Sequence, residues 1–252
     1  MTPDWTPLDQ ELTIWRDSGM VLPLWWRDDD AIAPTPQLDQ LIAMSDRLGL
    51  PVHLAVIPSA ATPALARRIA QTQMRPVVHG WAHESHAPTS EKKAEFGAHR
   101  PMPEILGEAR QGLETLQDLF SGRCAPIFVP PWNRIAPEVT AGLANLGYAA
   151  LSTFTPRKAL LAAPGLEQIN THLDPIHWKG SRSLVPAQQL VDQVANDLKS
   201  RRNADTDNTE PYGILTHHLV HDDAIWAFTD ALVTRLLAGP ATAWTYQSRK
   251  TT

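Results

Sequence analysis

Cysteine is almost absent from this sequence, since Cys124 is the only one among 252 residues. A single cysteine excludes an intramolecular disulfide framework and any cysteine-based zinc cluster. Long apolar runs are also missing, because no stretch approaches the roughly 20 residues of a membrane-spanning helix. The first residues lack the basic and apolar regions of a secretion signal. We therefore expect a cytoplasmic protein in which any metal site uses nitrogen and oxygen ligands.

An excess of positive charge is missing too. The chain has 22 Lys and Arg against 27 Asp and Glu, a formal net charge of −5. Nucleic-acid-binding proteins are usually basic, so we expect no nucleic-acid partner. The sequence contains no glycine-rich phosphate-binding loop and no G-x-S-x-G turn, which argues against nucleotide enzymes and serine hydrolases. Ten histidines and nine tryptophans are present instead.

Short apolar runs alternate with helical patterns along the whole chain. Residues 51–58 read as a strand bounded by prolines, and residues 103–120 have the apolar spacing of a helix. Alternation of this kind is typical of βα units around a mostly parallel sheet. About eight predicted strands suit an α/β barrel formed by residues 1–252 as a single domain. The polar segment 201–211 is predicted to be a surface loop.

Acidic and imidazole side chains follow four of the predicted strands, and a Pro-Pro-Trp-Asn segment follows a fifth. In parallel α/β barrels the carboxyl ends of the strands form the active-site face. The five clusters are therefore expected to meet at one end of the barrel. In chain order they are Asp28-Asp29-Asp30, His79 with His83, Pro130-Pro131-Trp132-Asn133, Asp174 with His177, and His217 with His218 and His221.

The residue types in these clusters suit a metal centre. His79 and His83 are four residues apart, so both imidazoles can face one point, and a carboxylate would complete a ligand set with open positions. Each cluster alone is equally compatible with a polar loop or an N-cap. However, three adjacent acids repel one another, and a cation would relieve that repulsion. Successive residues of an extended chain point in opposite directions, so neighbouring aspartates can serve as ligand and as base.

Three tryptophans lie in the same loops as the polar clusters. Trp81, Trp132 and Trp178 could form the walls of a pocket that stacks on sugar rings, or they could simply close the barrel. Of the adjacent pair His217 and His218, at most one is expected to reach the site, where it would serve as a general acid.

Taken in order, these motifs resemble those of the polysaccharide deacetylase family, carbohydrate esterase family four. The family pattern T-F-D-D corresponds to Trp26-Arg27-Asp28-Asp29, H-[ST]-x-x-H to residues 79–83, R-P-P-[YF]-G to 129–133, D-x-x-D-W to 174–178, and L-x-H to 215–217. The resemblance implies a distorted (β/α)7-type barrel and one divalent metal ion. Zinc is the expected ion, and cobalt, nickel, manganese and iron are the alternatives.

The resemblance also implies roles for individual residues. Asp29, His79 and His83 would hold the metal, Asp28 would be the general base, and His217 would protonate the leaving group. The implied reaction is metal-dependent hydrolysis that removes an acyl group, acetyl first of all, from an N- or O-acylated carbohydrate through an activated water. The remaining residues expected to bind substrate or support the site are Arg27, Asp30, Trp81, Pro131, Trp132, Asn133, Asp174, His177, Trp178 and His218.

Several positions depart from the family pattern. Val129 stands in place of the arginine that orients the base, and Arg27 or Arg134 could supply that charge. His177 replaces an aspartate, and Gly80 replaces a serine or threonine. The acidic triplet also permits a second register, in which Asp29 and Asp30 take the places of Asp28 and Asp29.

Two other functions remain open at this stage. One is a metal-dependent hydrolase of another C–N bond, such as a cyclic amide, and the other is an inactive barrel that serves as a binding module. A small-molecule substrate is favoured over a cell-wall polymer. The sequence leaves the substrate, the metal and the oligomeric state undetermined.

Overall fold

Strands and helices alternate along the chain, as the sequence predicts. The structure is a computed structural model that describes residues 2–247. The strands are β1 (Leu22–Ala31), β2 (Val52–Val56), β3 (Arg75–His79), β4 (Ile127–Val129), β5 (Ala150–Leu151), β6 (Leu161–Ala163), β7 (Leu166–Gln168), β8 (Tyr212–Thr216) and β9 (Ala241–Ala243). The α-helices are α1 (Thr6–Asp17), α2 (Pro36–Leu48), α3 (Pro63–Ile69), α4 (Met102–Leu119), α5 (Pro137–Leu143), α6 (Ala187–Arg202) and α7 (Asp223–Ala238).

The sheet closes into a distorted barrel. Its strand order is β6-β7-β5-β4-β3-β2-β1-β8, and every neighbouring pair is parallel except β6 and β7. The chain that follows β7 reaches β8, where His172 N donates to Gly213 O at 2.7 Å and Leu215 N donates to Leu173 O at 2.8 Å. Seven parallel strands therefore form a closed (β/α)-type barrel, while β6 and β9 pair only with β7 and β1. The predicted fold class is confirmed.

The side chains of β1 alternate between the barrel interior and the helices. Trp25 belongs to a small core inside the barrel, whereas Leu24 and Trp26 belong to the larger core under the helices. Arg27 crosses the interior to donate to Ser152 at the far side of the barrel. This pleat determines which acidic side chains can enter the functional end.

The chain beyond β9 closes the amino-terminal end of the barrel. The sequence pattern predicts a last strand over residues 242–246, whereas β9 begins at Ala241 and ends at Ala243. Trp244 instead packs its ring against Trp25 and His53, and Tyr246 N donates to His53 Nε2 at 3.2 Å. His53 is buried, and burial lowers its pKa to about 4.

Two segments differ from the sequence prediction. Helix α1 was not predicted, and it packs against α6, where Arg202 pairs with Glu11 at 2.7 Å. The segment 201–211 is not a surface loop throughout, because Arg201 and Arg202 complete α6 and the buried Arg201 donates to Glu210 O. Only residues 203–209 form turns at the surface. Within the described chain, no helix is both long enough and apolar enough to cross a membrane.

Candidate functional site

A cavity of about 770 Å³ lies at the carboxyl ends of the strands. Each of the five polar clusters contributes at least one side chain to its lining. These side chains are Asp29, Asp30, His79, His83, Trp132, Asn133, Asp174, Trp178 and His217. The structure therefore brings together residues that are as much as 188 positions apart, as the strand-end argument predicts.

Asp30, His79 and His83 converge on one point in the cavity. Asp30 Oδ1 lies 3.1 Å from His79 Nε2 and 3.3 Å from His83 Nε2, and the three ligand atoms lie within 4.8 Å of one another. His79 Nδ1 lies 3.0 Å from Val129 O, and donation to this carbonyl leaves Nε2 as the unprotonated nitrogen. These three side chains form a possible site for a divalent metal.

Asp29 is held by the residue two positions before it. Arg27 Nε and Nη2 donate to the two carboxylate oxygens of Asp29 at 2.9 and 3.0 Å. Residues i and i+2 of a strand lie on the same side, so both side chains point into the barrel. Arg27 also donates to Ser152 Oγ at 2.8 Å and to Asn133 Oδ1 at 2.8 Å, which fixes the guanidinium. Of the two arginines considered for the position of Val129, Arg27 contacts a cavity acid, whereas Arg134 donates to Lys93 O.

Asp28 points to the opposite side of the strand. It is completely buried outside the cavity and accepts hydrogen bonds from Thr216 Oγ1 at 2.6 Å and from the backbone N of His218 at 3.0 Å. The His218 ring also contacts Asp28 through Nδ1, and among the described residues its buried Nε2 has no hydrogen-bond partner. Neither residue lines the cavity.

The positions of the three aspartates favour the second register, in which Asp29 and Asp30 take the places of Asp28 and Asp29. The structure places Asp28 away from the cavity and brings Asp30, not Asp29, to the two histidines. The physical reason is a β-bulge between Asp28 and Ala31, where Asp30 has a positive φ of 74°. The bulge turns Asp30 toward the same space as Asp29, and the geometry agrees with the alternative register.

Asp174, Trp178 and His217 form the opposite wall. Asp174 Oδ2 accepts a hydrogen bond from Trp178 Nε1 at 2.7 Å, and its Oδ1 accepts one from Ile176 N at 2.9 Å. The rings of Trp178 and His217 meet edge to face, with centroids 4.8 Å apart. His177, predicted to support the site, is exposed and does not line the cavity.

Glu95 is a buried acid that the sequence argument missed. Its carboxylate accepts hydrogen bonds from Trp81 N at 3.2 Å and Ala82 N at 2.6 Å, so it fixes the chain between the two site histidines. A Cβ added to Gly80 would lie 2.2 Å from Glu95 Oε2 and 2.6 Å from Pro131 Cδ. The Glu95 carboxylate thus occupies the space that a serine or threonine side chain at position 80 would need. Trp81 and Pro131 support this loop but do not line the cavity.

Burial and neighbouring charges shift the pKa values of the candidate ligands in different directions. Burial works to lower the pKa of His79, but the acidic neighbours Asp29 and Asp30 raise it. Burial works to raise the pKa of Asp30, but the contacts with His79 and the charges of His217 and His83 lower it well below its ordinary value. Burial and the neighbouring His79 lower the pKa of His83, which favours the neutral imidazole. Burial raises the pKa of Asp174 and of Glu95.

The cavity is lined by backbone in unusual conformations. Eight non-glycine residues of the described chain have a positive φ, and five of them line the cavity. They are Asp30, His83, Trp132, Asn133 and Arg182, with φ values between 56° and 74°. Such conformations cluster at functional sites because the surrounding fold enforces them.

No protein-family model matches the chain, and no curated protein is significantly similar to it in sequence. Solved structures with the same fold are nevertheless found. A family 4 carbohydrate esterase from Streptomyces lividans in complex with acetate is 14% identical, with a TM-score of 0.54 over 91% of this chain and 95% of that chain. A peptidoglycan deacetylase from Bacillus subtilis is 15% identical, with a TM-score of 0.55 over 88% of this chain and 87% of that chain.

A peptidoglycan N-acetylglucosamine deacetylase is also 15% identical, with a TM-score of 0.56 over 88% of this chain and 85% of that chain. At these identities the likeness concerns the fold. The chain thus has the fold of the family 4 carbohydrate esterases and polysaccharide deacetylases, and the resemblance drawn from its motifs is confirmed at that level.

Proposed function

We propose that this protein is a metal-dependent hydrolase that removes an acyl group from an N- or O-acylated small carbohydrate. The acyl group that we propose is acetyl. The observation that carries the proposal is the convergence of Asp30, His79 and His83 beside the Arg27-bound Asp29 in one cavity. A protein that only binds a ligand would not need the Asp29 carboxylate, fixed by Arg27, beside the Asp30 carboxylate and two imidazoles. The cytoplasmic location stays a prediction of the sequence.

The three converging side chains would hold the divalent ion. One carboxylate oxygen and two imidazole nitrogens are ligands that zinc, cobalt, nickel, manganese and iron accept, and three protein ligands leave open positions. The Val129 carbonyl orients His79 in the way that outer hydrogen-bond partners orient metal-bound histidines. A bound ion would supply Lewis-acid assistance to hydrolysis of the acyl carbonyl. Zinc is the ion we propose.

Asp29 is the proposed general base. It lines the cavity next to the ligand set, and the bidentate Arg27 fixes the orientation of the carboxylate that would accept the proton. His217 is the proposed general acid, because it lies in the wall opposite and its ring is oriented by Trp178. Asp174 supports that wall and contributes a nearby negative charge.

Metal analysis together with acetate release tests the proposal. Wild-type protein is expected to bind one equivalent of zinc and to release acetate from a panel of N-acetyl and O-acetyl sugars. Asp30→Asn should lose the metal, whereas Asp29→Asn should keep it and lose roughly 10²–10⁴-fold in turnover, the usual contribution of a general base. The exposed Asp46→Asn is the matched control and should change neither quantity.

Protein that takes up no metal on titration would refute the proposed centre. Metal uptake without acetate release from any sugar, but with turnover of cyclic amides, would show that the alternative C–N hydrolase function is correct.

A further inference from the structure

Three cationic side chains line the same cavity and pair with no acid of the described residues 2–247. Lys93, Arg134 and Arg182 all contribute to its lining. Among the described residues, none of them lies within 4 Å of a carboxylate oxygen, although the acids of the chain outnumber its Lys and Arg residues. Unneutralised cations on one concave surface of an acidic protein indicate that the ligand supplies the missing negative charge.

A tryptophan ring lies between each of two cations and a histidine of the site. Lys93 Nζ lies 5.8 Å from the ring centroid of Trp132, and that ring lies 4.5 Å from the ring of His83. On the opposite wall, Arg182 Cζ lies 5.5 Å from the ring of Trp178, which contacts His217. The tryptophan faces thus separate the cations from the groups proposed for chemistry.

The loops that carry these cations are fixed. Arg134 Nη1 donates to Lys93 O at 2.7 Å, which joins the two residues of one wall. Arg182 has a φ of 57°, and its backbone N donates to His177 O at 3.1 Å, so a tight turn presents the guanidinium. Because the backbone that carries these cations is already ordered, binding of a ligand costs less conformational entropy.

The acids of the cavity form no ion pair with these cations among the described residues. Asp29 is occupied by Arg27, Asp30 by the two imidazoles, and Asp174 by Trp178 and a backbone amide. Each cavity acid thus has another partner, and the three cations are not engaged by it.

We infer that the substrate carries an anionic group, a phosphate or a carboxylate, on the part that remains at the cavity mouth while the acyl group is near Asp30 and the histidines. Lys93, Arg134 and Arg182 would bind this group, and Trp132 and Trp178 would pack against the ring that bears it. The inference rests on the proposed function only for the identity of the acyl group, because the cationic mouth is a separate part of the cavity.

Binding to the zinc-loaded protein, measured by calorimetry, tests the inference without requiring turnover. The probes are N-acetylglucosamine, its 6-phosphate, and N-acetylmuramic acid, which bears a carboxylate. At least one anionic probe is expected to bind about tenfold more tightly than the neutral sugar at low salt, and this preference should shrink as salt rises.

Variants that remove one charge locate the contact. Lys93→Gln and Arg182→Gln should each weaken binding of the anionic probe by about threefold to tenfold and leave the neutral sugar unchanged. Lys92→Gln and Lys179→Gln are matched controls, since both lysines are exposed, neighbour the tested loops and do not line the cavity. Preference for the 6-phosphate would identify a phosphate site, and preference for the muramic acid a carboxylate site.

Equal binding of neutral and anionic probes, or unchanged binding in both charge-removing variants, would overturn the inference. Acetate release measured on the same samples keeps the two proposals apart. Acetate release without anion preference would leave the hydrolase intact, whereas anion preference without acetate release would leave the cationic mouth intact.

Discussion

At the scale of single residues, three adjacent carboxylates occupy three different environments. Asp28 contacts His218 under the helices, Asp29 pairs with Arg27 inside the barrel, and Asp30 contacts two imidazoles in the cavity. Each acid has its own basic partner, so the mutual repulsion expected for such a run is offset locally. The separation is what allows one short segment to serve both structure and chemistry.

The Asp28→Asn variant should lose stability and keep its metal. Burial works to raise the pKa of Asp28, but His218 and Thr216 lower it, so the carboxylate is ionised in the folded protein. Removing one partner of a buried charged pair should lower the free energy of unfolding by about 3 kcal/mol. Urea denaturation measures this loss, and metal analysis of the same variant should still give the wild-type stoichiometry.

The outcome of that experiment distinguishes the two registers of the acidic triplet. Asp29→Asn removes an acid from the cavity and provides the comparison within the same strand. A loss of turnover in Asp28→Asn at unchanged stability would assign the base to Asp28 and contradict the geometry described here.

At the scale of elements, the positions of the strands could be predicted from the sequence. Which of the three adjacent aspartates enter the cavity could not. The positions of β1, β2 and β3 follow from apolar runs, and the polar clusters that follow them do meet in one cavity. Strand pleating alone places Arg27 and Asp29 on the same side, so their pairing could also have been inferred from the sequence. The bulge at Asp30 could not, because a positive φ at aspartate depends on tertiary contacts that no local pattern contains.

Glu95 was missed for a similar reason. It lies in the polar segment between β3 and α4, where no periodicity assigns a role to any single acid. Its function depends on contacts with two backbone amides that are 13 and 14 residues away. Helix α1 escaped prediction because the chain before β1 was not assigned, although Leu8, Leu12 and Trp15 have helical spacing.

The loop after β3 should not accept the family's own residue at its first position. Gly80→Ser would place a Cβ against Glu95 and Pro131 at a φ of 58°. Overpacking and the left-handed backbone should together lower the free energy of unfolding by roughly 2–4 kcal/mol and weaken zinc binding through displacement of His79 and His83. Chemical denaturation and zinc titration measure the two effects.

Gly107→Ser is the matched control, because a Cβ at this helical position meets nothing within 4 Å. Equal stability of the two variants would mean that the loop can move away from Glu95, and the explanation for Gly80 would then be incorrect.

At the scale of the whole molecule, the two ends of the barrel have different tasks. The carboxyl end carries the cavity, whereas the amino end is closed by Trp25, His53 and Trp244. In α/β barrels generally, residues at the carboxyl ends of the strands carry the chemistry, and residues at the amino ends contribute stability. Changes at the closed end should therefore affect stability without affecting metal binding.

His53 should make the folded protein sensitive to acid. Its pKa of about 4 lies below the ordinary 6.5, so the stability that its neutral form contributes is complete above pH 6.5 and is lost as the pH falls toward 4. By linkage the loss at pH 5 is roughly 1–2 kcal/mol. The difference in unfolding free energy between pH 7.5 and pH 5 should shrink by that amount in His53→Gln, which retains an acceptor for Tyr246 N.

His177→Gln, at an exposed histidine, is the control and should leave the pH dependence as in the wild type. Unchanged acid sensitivity in His53→Gln would show that other groups govern it.

The left-handed backbone around the cavity lowers stability at positions whose side chains line the cavity. Each non-glycine residue in that conformation costs about 1–2 kcal/mol, and five such residues surround one cavity. Glycine at the exposed Arg182 would relieve this cost and at the same time remove a cation of the cavity. Selection of variants for heat resistance alone should therefore enrich glycine at this position, and the more stable descendants should be the ones that have lost this cation.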